Sequence, residues 1–122
     1  CIENVCTFGR KLCELLSSHL IKLHGLKLSP ILLNNIETLR ESKVIAPWIC
    51  SYMHSLRIFG NETVHTRSAV KYVPKSLDQN DLTASLSAIK SLLAFWHGEV
   101  ADTEDAPGED EQGAERSEDG NG

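Results

Sequence analysis

Apolar residues recur at steps of three, four and seven across the first 24 positions: Ile2, Val5, Cys6, Leu12, Cys13, Leu16, Leu20 and Leu23. That spacing puts them on one face of a helix. Gly25, following Lys22 and His24, supplies the stop. Ser29-Pro30 reads as a second start, a capping hydroxyl ahead of Pro at the first helical position. It predicts a helix to about Glu41 that buries Leu32, Leu33, Ile36 and Leu39. After a short connection, Ser42 to Ala46, Pro47 opens a third helix carrying Trp48, Ile49, Tyr52, Met53, Leu56 and Phe59 at helical spacing. Residues 66–78 contain Pro74 and little periodicity, and read as a loop. The last helix runs from about Asp78 to Trp96 or His97. Its inward face is predicted to be Leu82, Leu86, Ile89, Leu93 and Trp96, with Ser76, Asp78 or Asn80 as cap and Gly98 as stop.

Four helical segments and short connections predict an all-α, antiparallel four-helix bundle over residues 1–98. The chain begins inside a helical pattern at Cys1, so the bundle is expected to be truncated at its N-terminus. Residues 99–122 form a separate region. From Ala101 onward nine acidic residues face one basic residue, Arg116, and no large apolar side chain is present. Nothing there offsets the entropy of ordering, which predicts a disordered acidic tail. The net charge of −5 therefore hides a body of +3 over residues 1–100 and a tail of −8. A weakly basic body permits an anionic partner such as RNA or a nucleotide without requiring one.

Cys1, Cys6, Cys13 and Cys50 form no C-x-x-C pair, so neither a zinc motif nor a disulfide framework is expected. They read as small apolar residues of a reduced, cytoplasmic core. No run approaches the roughly 18 apolar residues of a membrane span, and no membrane partner is expected. Glycine-rich phosphate loops, nucleophile elbows and nucleic-acid-binding zinc motifs are missing from the sequence. No cofactor and no metal is called for. His19 and His24 lack neighbours at ligand spacing, and Glu37 and Glu41, interleaved with Arg40 and Lys43, read as a solvated helix face.

One constellation stands out. Arg57, Asn61 and His65 are spaced i, i+4, i+8 and drift only about 40° per step along a continuous helix. They form a polar stripe that His54 extends. Arg offers a planar fork of donors to phosphate, His moves a proton near neutral pH, and Asn orients either. These are the groups a metal-independent phosphodiester cleavage uses. A stripe of this kind also serves as a solvated face or fastens a neighbouring loop.

The stretch LRIFGNETVH, with Arg57, then Gly60-Asn61, then His65, resembles domain-of-unknown-function family 4145. That family is a branch of the HEPN (higher eukaryotes and prokaryotes nucleotide-binding) superfamily of helical bundles. Ile2-Glu3 is similar to the Leu-Glu pair of that family's first long helix. Leu39 with KVIAPW resembles the end of its second helix, and DLTASLSAIKSLLAFW its closing helix. The resemblance covers residues 1–98. It implies a dimeric helical bundle, and it implies one of two roles. Many HEPN domains are metal-independent endoribonucleases in defence systems, in which Arg and His act on RNA. Members of this branch also sit beside nuclease or helicase domains as accessory modules. Active HEPN ribonucleases carry Arg beside the polar residue, whereas Gly60 precedes Asn61 here and Arg57 lies one turn earlier.

The expectation is accordingly a HEPN-like accessory or interaction module, forming a homodimer or docking to a partner domain in a larger defence or nucleic-acid-processing protein. The alternative is an endoribonuclease with Arg57, Asn61 and His65 as its catalytic residues. A purely structural fragment is the third reading.

Overall fold

The computed structural model describes residues 1–64 and 76–105. These form four helices and, among the described residues, no strand: α1 (Ile2–Leu23), α2 (Leu32–Glu41), α3 (Pro47–Val64) and α4 (Gln79–Asp105). The core is aliphatic, built on Leu16, Leu20, Ile21, Ile36, Leu39, Ile49, Met53, Leu56 and Leu92.

α1 ends where the sequence places its stop. Gly25 sits at φ 67, the Leu26 N–H donates to the Ile21 carbonyl (2.9 Å), and the Gly25 N–H donates to the Lys22 carbonyl (3.2 Å). This is a Schellman cap, which needs a left-handed residue at the Gly25 position. α2 ends in the same way, with Lys43 in the left-handed position at φ 61. Its paired bonds run from the Val44 N–H to the Leu39 carbonyl and from the Lys43 N–H to the Arg40 carbonyl, both 3.0 Å.

The start of α2 differs from expectation. Ser29 and Pro30 lie outside the helix. The Ser29 hydroxyl accepts from the Ile31 N–H (3.0 Å), while buried Asn35 grips the Ser29 backbone through two 2.8 Å bonds. Asn35 takes the inward position, and Leu33 is exposed.

That held connection decides the topology. Leu28, Ser29 and Pro30 line one cleft with Arg10, Glu14 and Ser18, so the chain runs back along α1 before α2 begins. Glu37 of α2 meets His54 of α3, and Cys13 of α1 meets Met53 of α3 while Arg10 meets Asn61. α3 is therefore antiparallel to both α1 and α2. The pairs Cys6–Ser85, Gly9–Ile89 and His19–Trp96 advance together, so α4 runs parallel to α1. The expected simple alternation gives way to three helices pointing one way and α3 the other, because the connection from α1 to α2 is an extended return rather than a tight turn.

α4 is capped as the sequence suggests. Asp78 Oδ1 accepts the Asp81 N–H (3.1 Å), and Asp81 Oδ2 accepts the Asp78 N–H (2.9 Å), a reciprocal capping box. Its buried face is another matter. Asp81, Ser85, Ala88 and Leu92 point inward along with Ile89, while Leu86 and Leu93 are each 44% exposed. Apart from Ile89, which keeps its place, the buried positions lie one residue before the expected ones, a rotation of somewhat less than about 100°. Small Ser85 and Ala88 let α4 approach Cys6 and Gly9 closely, and larger leucines there would hold the helices apart. α4 also continues through Gly98 to Asp105, past the boundary expected at residue 98. Gly98 has open space around it, and a mid-helix glycine weakens a helix by only about 1 kcal/mol. The remainder of the expected acidic tail, and most of the expected 66–78 loop, lie outside the described residues. No described helix is long and apolar enough to cross a membrane.

Candidate functional site

α3 brings Cys50, His54, Arg57 and Asn61 onto one side through successive steps of four, three and four. Arg57 and Asn61, two of the three residues singled out by spacing, are half-buried there. The third, His65, lies outside the described residues.

Asn61 and His54 are each joined to a neighbouring helix, and Arg57 to His54. Asn61 Oδ1 accepts from Arg10 Nε of α1 at 2.9 Å. Arg10 in turn pairs with Glu14 one turn along α1. Gly60 makes that bond feasible: a Cβ there would lie 2.5 Å from Arg10 Cβ and 2.7 Å from Arg10 Cδ. The glycine lets the arginine lie flat across α3 and reach Asn61. No signal in the sequence marked Arg10, because its partner is 51 residues away.

The second line runs toward α2. Arg57 Nε donates to His54 Nδ1 at 3.3 Å. A guanidinium cannot accept a hydrogen bond, so Nδ1 is the acceptor and Nε2 carries the proton. His54 Nε2 donates to Glu37 Oε2 at 2.7 Å, and Glu37 Oε1 accepts from Arg40 Nε and Nη2, each at 2.8 Å. The His54 bond first, and the Arg40 bond second, hold the Glu37 carboxyl below the usual carboxylate range. Glu37 is thus no mere solvated residue; it ties α2 to α3. Only the i, i+4 spacing of Cys50 and His54 hinted at this cluster in the sequence. Cys50 lies beneath it, and burial raises its thiol pKa.

The other cysteines divide as follows. Cys6 and Cys13 are fully buried and Cys1 is exposed. Burial pushes the Cys13 thiol up to about 12. His19 stands edge-on to Trp96, with ring centroids 4.9 Å apart, and Trp48, expected to pack, is 57% exposed beside Tyr52.

The arrangement spends its polar groups on one another. Arg57 gives its Nε to His54, and Asn61 gives its oxygen to Arg10. Among the described residues, several large apolar side chains are left uncovered as well. Phe8 and Leu15 of α1 are 55% and 64% exposed, and Leu86 and Leu93 of α4 join them. Phe8, Leu12, Leu15 and His19 share one side of α1, and Leu82, Leu86, Leu93 and Trp96 share one side of α4. The His19–Trp96 contact sets these two sides next to each other along the parallel α1–α4 seam.

No family model, no curated protein and no solved structure matches this chain.

Proposed function

We propose that the chain is a HEPN-like interaction module that self-associates through the α1–α4 seam and serves a larger defence or nucleic-acid-processing protein. The observation that carries this reading is the exposed apolar stripe formed by Phe8, Leu15, Leu86 and Leu93. Covering a half-exposed Leu or Phe is worth about 0.8–1.5 kcal/mol, half the value for full burial. In a two-fold pairing both copies contribute, giving about 6–12 kcal/mol gross from eight side chains. Association costs about 4–15 kcal/mol in lost freedom. The two ranges overlap, so the stripe supports a weak dimer at most, one that a single charged substitution in it disrupts.

The residue arrangement also supports a fastening role for Arg57 and Asn61 over catalysis. A ribonuclease aims its arginine at developing phosphorane charge, whereas Arg57 turns its Nε to His54 and leaves only its terminal nitrogens for that task. Incubating RNA with the purified chain and with His65→Ala, in EDTA, separates the two readings. Intact RNA in both samples is the expected result. Cleavage abolished by His65→Ala would establish the ribonuclease alternative.

A further inference from the structure

Where Glu37 of α2 meets His54 of α3, one sulfur, one imidazole nitrogen and one carboxylate oxygen converge. The ligand atoms of Glu37, Cys50 and His54 all lie within 4.8 Å of one another. We propose that these three side chains form a Zn²⁺-binding site on the α2–α3 face. This site is independent of the self-association proposed above.

The donor set suits zinc in kind and number. Zinc takes thiolate, imidazole and carboxylate ligands, at about 2.3, 2.0–2.1 and 2.0–2.2 Å, in tetrahedral geometry. Those lengths put neighbouring ligand atoms about 3.3–3.6 Å apart. The cluster reaches this by side-chain rotation: the 2.7 Å His54–Glu37 contact opens slightly and Cys50 Sγ closes in. Cys50 and His54 are one turn apart on α3, so the helix presents both to the same point, and Glu37 reaches it from α2. The sulfur lies underneath, at 5% exposure, while the Glu37 and His54 side chains are 34% and 22% exposed. Water therefore has access to the fourth position.

Charge favours the same ion. A divalent cation with one thiolate, one carboxylate and a neutral imidazole sums to zero. Glu37 has two oxygens with separate duties: Oε2 faces His54, and Oε1 is held by Arg40. Metal on Oε2 leaves Arg40 in place as the outer partner that orients the carboxylate, as such sites require. Glu41, 3.7 Å from Arg40 Nη2, offsets part of that guanidinium's charge. Arg57 is the competitor. With metal on His54 Nε2 the imidazole proton moves to Nδ1, which can no longer accept from Arg57 Nε, so Arg57 swings away. The Cys50 thiol gives up its proton as the Zn–S bond forms. One proton is released per ion bound, and affinity tightens about tenfold per pH unit while the thiol is protonated.

The test is titration of the full chain with Co²⁺, a spectroscopic stand-in for zinc, followed by displacement with Zn²⁺. The expected result is a thiolate-to-cobalt charge-transfer band saturating at one ion per chain and displaced by Zn²⁺. It is absent in Cys50→Ser and in His54→Ala and retained in Cys1→Ser. Glu37→Gln, a change at a part-exposed position with the same shape, weakens binding at least about tenfold and keeps the proposal testable if the buried variants misfold, which circular dichroism reports. Arg57→Gln binds more tightly than wild type. No thiolate band at saturating Co²⁺, a band that survives Cys50→Ser, or affinity unchanged in Glu37→Gln overturns the proposal.

Discussion

Arg10 of α1 and Asn61 of α3 are joined at 2.9 Å across the antiparallel helix pair, and the bond passes directly over Gly60. Replacing Gly60 by Ala separates two opposing effects. Helix propensity alone gains about 1 kcal/mol from the change. The new methyl, however, stands 2.5 Å from Arg10 Cβ, which cannot rotate away as the tip of a side chain can. Overpacking of this kind costs about 1–3 kcal/mol. Gly60→Ala is expected to lower stability by up to about 2 kcal/mol, read as a lower urea midpoint with unchanged slope. A stabilised variant would show that Arg10 does not lie across α3.

Lys43 caps α2 in a conformation that favours glycine. A side chain at φ 61 costs about 1–2 kcal/mol against the right-handed form, and part of that returns as lost chain entropy when glycine replaces it. Lys43→Gly is therefore expected to raise stability by about 0.5–1 kcal/mol in thermal or urea unfolding. Unchanged or reduced stability would contradict the capping geometry.

Glu37 sets a pH signature. Its carboxyl pKa is lowered in the folded chain, chiefly by His54 and then by Arg40. A depressed carboxyl contributes stability that is present above its unfolded value, near 4.5, and lost as pH falls through the folded value. The stability difference between wild type and Glu37→Gln is expected to shrink as pH drops below about 4.5. Melting temperatures of the two proteins across pH 3–7, about the range in which carboxyls titrate, check this. A difference independent of pH would remove Glu37 from the network.

Local chemistry was legible in the sequence, and the relative placement of helices was not. Gly25 ended α1, Asp78 capped α4, and the periodicity placed all four helices, because caps and faces depend on residues within a turn or two. The rotation of α4 escaped, since Leu82, Leu86 and Leu93 make the stronger apolar stripe while Ser85 and Ala88 make the closer fit. Helix direction escaped because it turned on Asn35 gripping Ser29, a contact that spacing does not encode. At the candidate site, Arg57, Asn61 and His54 were visible as a stripe. Arg10, Glu37 and Cys50 were not, because each meets that stripe from another helix or from beneath it.

The rotation of α4 is also what leaves Leu86 and Leu93 uncovered beside Phe8 and Leu15, and the proposed self-association rests on that surface. Sedimentation equilibrium of the wild type, Leu15→Glu, Leu93→Glu and Ile58→Glu tests it most directly. Ile58, exposed on α3 and away from the seam, controls for charge added to the surface. The expected result is a reversible dimer for wild type and Ile58→Glu, and a monomer with unchanged helicity for both seam variants. A wild-type monomer at concentrations of about 100 μM, where an interface worth only about −6 kcal/mol would already be substantially occupied, or a dimer indifferent to both seam substitutions, would contradict the account.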